Sequence, residues 1–90
     1  LFIQGMSISV IVLFFASARE ATGVGEVTIK LDAGQQNASY LLQYLQEEYT
    51  GLDFQEAQIS VAVNKNYIGD DDVVLKDGDE VALLPPIAGG

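Results

Sequence analysis

One stretch of this chain has the 3.6-residue period of an amphipathic helix, and it lies among segments whose apolar residues recur at every second position. Ala38, Leu41, Leu42, Leu45 and Tyr49 follow the i, i+3, i+4, i+7, i+11 pattern of a single apolar stripe. Asn37 or Ser39 can cap its start, and Thr50-Gly51 stops it. A lone helix can cover one face of one sheet, so the flanking segments must supply that sheet.

In residues 7–15, Ile8, Val10, Val12 and Phe14 share one parity and predict the core face of a first strand. The other parity, Ser7, Ser9, Ile11, Leu13 and Phe15, starts polar and turns apolar. Residues 16–25, with Gly23 and Gly25, read as a connection, and residues 26–31 as a second strand, giving a hairpin with a long loop. Ile59, Val61 and Val63 alternate with Ser60, Ala62 and Asn64 in a third strand that ends at the turn-prone Asn64-Lys65-Asn66. Tyr67-Ile68 reads as a short edge strand and Asp77-Gly78-Asp79 as a turn. Residues 80–84 form the last strand, with Val81 and Leu83 on one face and Ala82 and Leu84 on the other. This order predicts an α+β fold of the ubiquitin-like β-grasp kind, a mixed sheet with one main helix packed across one face. The expected organisation is a leader at residues 1–5, where Leu-Phe-Ile-Gln-Gly resembles a protease recognition sequence, a domain at 6–84 and an extended tail at 85–90.

Composition removes most chemistry. The 90 residues contain no Cys and no His, which excludes disulfides, a thiolate nucleophile, Cys or His metal ligands and the commonest general base. Thirteen acids against four bases leave a net charge of -9, and ten of those acids lie in residues 46–90. Such a surface repels nucleic acid, anionic membrane and phosphorylated substrates, and it suits a basic protein partner. The longest apolar stretch, residues 8–16, is about half the length of a bilayer span, and no export signal precedes it, so the cytosol is the expected location. Asp70-Asp71-Asp72 lacks the spacing of a calcium loop and reads as a solvated acidic turn; no metal site is expected. Arg19-Glu20 reads as a loop-fixing pair, and Glu47, Glu48, Asp53 and Glu56 as a solvated face.

The end of the chain carries the remaining signal. Pro85-Pro86 favours a stiff extended backbone, and six residues from Pro85 span roughly 20 Å. Gly89 and Gly90 have no side chains, so this end can thread a narrow tunnel and present a carboxylate inside another protein. Taken alone, Gly-Gly fits a frayed end equally well.

Leu13-Phe14-Phe15-Ala16 with Arg19-Glu20 and Gly23, Ala62-Val63-Asn64, Asp77-Gly78-Asp79-Glu80-Val81-Ala82 and Pro85-Pro86-Ile87-Ala88-Gly89-Gly90 together resemble the small subunits of molybdopterin synthase, from Met6 to the last residue. Related carriers for thiamin thiazole synthesis and tRNA thiolation share the fold and Gly-Gly but not, as a rule, the Pro-Pro ending. The resemblance implies a sulfur carrier with no catalytic residues of its own and no permanently bound cofactor. A ubiquitin-activating-type adenylyl/sulfurtransferase would adenylate Gly90 with ATP, and sulfur would replace AMP to give a C-terminal 1-thioglycine, the thiocarboxylate. Pro85, Pro86, Ile87, Ala88 and Gly89 would thread this group into the synthase large subunit, where it gives sulfur to cyclic pyranopterin monophosphate. The implied assembly is a heterotetramer of two small and two large subunits. Phe15 and Leu84 fall on the outer-face parity and Tyr67 near the sheet edge, and the resemblance makes these three the partner interface; closing the margin of a small core is the other role open to them. The alternative functions are a sulfur carrier of another pathway, thiazole synthesis or tRNA thiolation, and a ubiquitin-like modifier with Gly90 joined to a lysine of a target.

Overall fold

A computed structural model describes residues 6–86. The leader at 1–5 and tail residues Ile87, Ala88, Gly89 and Gly90 lie outside the described residues. The elements are β1 (Ile8–Phe14), α1 (Ala16–Thr22), β2 (Glu26–Leu31), α2 (Ala38–Glu48), β3 (Ser60–Val63), β4 (Asn66–Tyr67) and β5 (Glu80–Leu84). The five strands form one sheet in the order β2-β1-β5-β3-β4. β1 and β5 run parallel, and every other pair is antiparallel. This is the β-grasp arrangement expected from the element order.

The expected parity holds through the core. Val12 stands opposite Val81, and Phe14 opposite Leu83, which in turn faces Val61. These side chains are buried in one cluster with Leu41 and Leu45, the apolar stripe of α2. Leu42 and Tyr49 pack half-buried against that cluster, so the stripe serves as its spacing predicts. Leu41 and Leu45, both fully buried, are each worth roughly 1.5–3 kcal/mol relative to an exposed side chain, so the helix-to-sheet seam contributes substantially to stability.

Three local expectations are corrected. Residues 16–25 do not form a simple connection: Ala16 to Thr22 make a seven-residue helix that ends at Gly23, whose φ of 80° and N–H bond to the Arg19 carbonyl (2.8 Å) form a left-handed cap. The short edge strand is Asn66–Tyr67, one residue earlier than expected, because Asn64 and Lys65, at φ 50° and 73°, make a two-residue turn that sets Asn66 opposite Val63.

The third correction concerns Asp72, which does more than sit in a solvated turn. Its carboxylate accepts hydrogen bonds from the Ser39 backbone N–H (2.8 Å), the Ser39 hydroxyl (2.9 Å) and the Asn37 side-chain amide (3.1 Å). It thereby caps α2 from 33 residues away in sequence, beside the bridge between Asn37 and Val74. The Ser39 backbone N–H, then the Ser39 hydroxyl, hold the Asp72 carboxyl below its usual value against the opposing effect of desolvation, with the Asn37 amide adding to the lowering. A depressed folded pKa gives stability that is present above the unfolded value, about 3.9, and lost as pH falls through the folded one. Asp72→Ala is therefore expected to lower the melting temperature at pH 7, and the gap from wild type to narrow as the pH of the melts drops below about 4. A gap independent of pH would remove the ionised cap from this account.

Candidate docking face and tail exit

β5 ends at Leu84, between β1 and β3, and the chain continues through half-buried Pro85 to exposed Pro86. The tail therefore leaves from the middle of the sheet. On the face opposite α2, Leu13, Ala82, Ala62 and Tyr67 stand opposite one another in a row across β1, β5, β3 and β4. Phe15 and Leu84 follow two residues later along parallel strands, at the tail end of this row. Lys65 and Glu80 bound the other end. Together these residues line an open depression of about 300 Å³. The two alanines make its floor low, and Ala62 is buried there although it belongs to the outer face.

All three residues expected at a partner interface, Phe15, Tyr67 and Leu84, thus meet in one depression. Phe15 is 44% exposed and Tyr67 72% exposed, so neither is needed to seal the core on its own face. Both positions are held by backbone. The Phe15 N–H donates to the Leu83 carbonyl (3.3 Å), and Phe15 is the residue at the N-cap of α1. The turn before Tyr67 is tied to β5 by Asn64: its Nδ2 donates to Asp79 Oδ1 (2.9 Å), and its Oδ1 accepts from the Glu80 N–H (3.0 Å). Asp79 in turn accepts from the Lys76 N–H (2.8 Å), and Asp77 from the Ser9 N–H (2.8 Å), around Gly78 at φ 85°.

α1 sits beside the exit. Ala16, Ser17, Arg19 and Glu20 form a groove with Pro86, and the Arg19 guanidinium lies over Gly25, so close that a Cβ there would meet it at 3.4 Å. This helix was not legible in the sequence, and with it the wall along which the tail departs. A larger depression, about 500 Å³, is lined by Ile59, Ser60, Val61, Tyr67, Gly69 and Asp70. Its one charged group is an acid, and it lies away from the tail. The depression offers apolar surface with one ammonium, of Lys65, and one carboxylate, of Glu80, at its margin, an arrangement suited to binding a protein.

The family model described as the ThiS family matches residues 12–90. The chain is 40% identical over 80 residues to the molybdopterin synthase sulfur carrier subunit of Chlamydomonas reinhardtii, covering 88% of this chain and 95% of that one. Among solved structures, the small archaeal modifier protein 1 of Methanosarcina acetivorans superposes with a TM-score of 0.73 at 26% identity, covering 96% of this chain and 100% of that one. A chain from the Helicobacter pylori complex of subunits 1 and 2 of molybdopterin-converting factor gives a TM-score of 0.66 at 29% identity, covering 92% and 100%.

Proposed function

Because this chain belongs to the ThiS family, we propose that it is the sulfur-carrier subunit of a molybdopterin synthase, with the Gly90 carboxylate as the group that carries sulfur. The observation that carries this reading is the tail leaving the sheet beside an exposed apolar face, so that a partner docked on Phe15, Tyr67 and Leu84 receives the tail at the same time. In the activating enzyme the carboxylate attacks the α-phosphorus of ATP and releases pyrophosphate. A sulfur nucleophile then displaces AMP to leave the thiocarboxylate. In the synthase, Pro85 and Pro86 extend the strand direction into the large subunit, and Ile87, Ala88, Gly89 and Gly90 thread its active site. Two sulfur transfers to cyclic pyranopterin monophosphate complete the dithiolene. The cationic groups that bind and polarise that anionic substrate belong to the large subunit, since this chain has only four basic residues against thirteen acids. Cytosolic location and a heterotetramer of two small and two large subunits complete the proposal; pairing with a large subunit is supported by the complex of two subunits in which the Helicobacter relative was solved.

Likeness to the archaeal modifier favours a second reading, conjugation of Gly90 to a lysine of a target. Intact-mass spectrometry separates the two. After incubation with the activating enzyme, ATP and a sulfur source, the carrier is expected to gain about 16 Da at its C-terminus, oxygen being replaced by sulfur. Isopeptide conjugates without that mass gain would favour the modifier and overturn the carrier.

A further inference from the structure

We propose that strand β2, the longer of the two edge strands of the sheet among the described residues, pairs antiparallel with the β2 strand of a second copy of this chain. β2 has β1 as its single strand neighbour and runs for six residues, Glu26–Leu31. Its register with β1 fixes which backbone groups are spare. The Phe14 N–H donates to the Gly25 carbonyl (2.9 Å), one step beyond the Leu13–Glu26 pair. Hydrogen-bonded and non-bonded opposites alternate along an antiparallel ladder. Val27, Ile29 and Leu31 therefore bond to β1, and Glu26, Thr28 and Lys30 direct their N–H and C=O groups outward.

A two-fold axis through Thr28 uses all of them. It sets Thr28 opposite Thr28 and each Glu26 opposite the other copy's Lys30, so three outward residues per strand form six backbone hydrogen bonds. Shifting the pairing by two residues either way leaves one outward residue of each strand without an opposite. The same register creates two reciprocal carboxylate–ammonium pairs, since Glu26 and Lys30 are both exposed on the outer face, across from Leu13 and Ser9 of β1. On the inner face it brings Val27 opposite Ile29, and both are only half-buried in one copy. β2 is neutral in a chain of net charge -9, because its one acid and one base cancel. The occupant is thus a second copy: hydrogen-bonding pattern, charge and apolar contact are all self-complementary at one register. The axis stands perpendicular to the sheet, so the depressions lined by Phe15, Tyr67 and Leu84 stay open on the same side of the joined sheets.

The test is sedimentation of the full chain from about 10 μM to 1 mM in about 0.15 M salt, where repulsion between the acidic surfaces is screened over about 8 Å. Wild type is expected to show a concentration-dependent monomer–dimer equilibrium. Lys30→Glu places like charges at both reciprocal sites and is expected to raise the dissociation constant about tenfold or more. The double change Glu26→Lys with Lys30→Glu restores both pairs and is expected to return it to within about threefold of wild type. Each variant is checked by thermal melting, both side chains being exposed in the single copy. A monomer throughout the range overturns the proposal. So does a double variant as weak as the single one, or association that is lost in Tyr67→Ala and retained in Lys30→Glu.

Discussion

Adding one residue after Gly90, or deleting Gly90, is expected to reduce molybdopterin formation to background while the fold and the complex with the large subunit survive. In the proposed mechanism the tail is a tether of fixed reach. From Pro85 to Gly90 the chain spans roughly 20 Å when extended, and one residue more or less would move the terminal carboxyl by about 3.3–3.6 Å, beyond the range in which a reacting atom remains in line. An added side chain would also have to pass where the proposal requires glycine. Because the docking depression lies wholly before the tail, binding should be untouched. The measurement is product formed with the cognate large subunit and precursor, alongside co-purification. Retained activity in either variant would falsify the tail-centred mechanism, and loss of the complex as well would mean that docking depends on the tail itself.

Phe14→Ala and Phe15→Ala should fail in opposite ways although the residues are adjacent. Phe14 is buried, packs edge-on against Tyr49 with ring centroids 5.5 Å apart, and joins β1 to the end of α2. Truncating it removes the transfer energy of a large side chain and leaves a cavity, at a cost of about 3–5 kcal/mol. Small domains have about 5–15 kcal/mol in total, so the melting temperature is expected to collapse. Phe15 faces the other way and is 44% exposed. Its truncation is expected to change stability by less than about 1 kcal/mol while abolishing co-purification with the large subunit, and Leu84→Ala should behave in the same direction. If Phe15→Ala melts as early as Phe14→Ala, the outer face is part of the fold's own core and the docking assignment is wrong.

The parity that separates these two phenylalanines was legible because a strand turns each successive side chain to the opposite face, and the alternation over residues 7–15 needs no knowledge of its partners. α2 was legible for the same reason at its own period. α1 was not: Ala16, Ala18, Arg19, Glu20 and Ala21 favour helix individually, but only Ala18 is buried, so its seven residues leave no apolar stripe to read. Asp72 was misread because its partners, Asn37 and Ser39, lie 35 and 33 residues away, and nothing local distinguishes it from Asp70 and Asp71. Phe15, Tyr67 and Leu84 could each be placed near a sheet margin. Their convergence required the register of four strands, which alternation alone does not fix.

The central position of β5 has a consequence for synthesis. Until residues 80–84 leave the ribosome, β2-β1 and β3-β4 are two separate strand pairs, and isolated pairs of that size are marginal in water. β5 links the two halves by pairing Val81 with Val12 on one side and with Val63 on the other, so the sheet can close only after β5 has been made. A truncated nascent chain, ending before β5, would display neither the apolar depression nor the exit beside it. Recognition through the proposed docking face would thus double as inspection: what docks already has β5 in place.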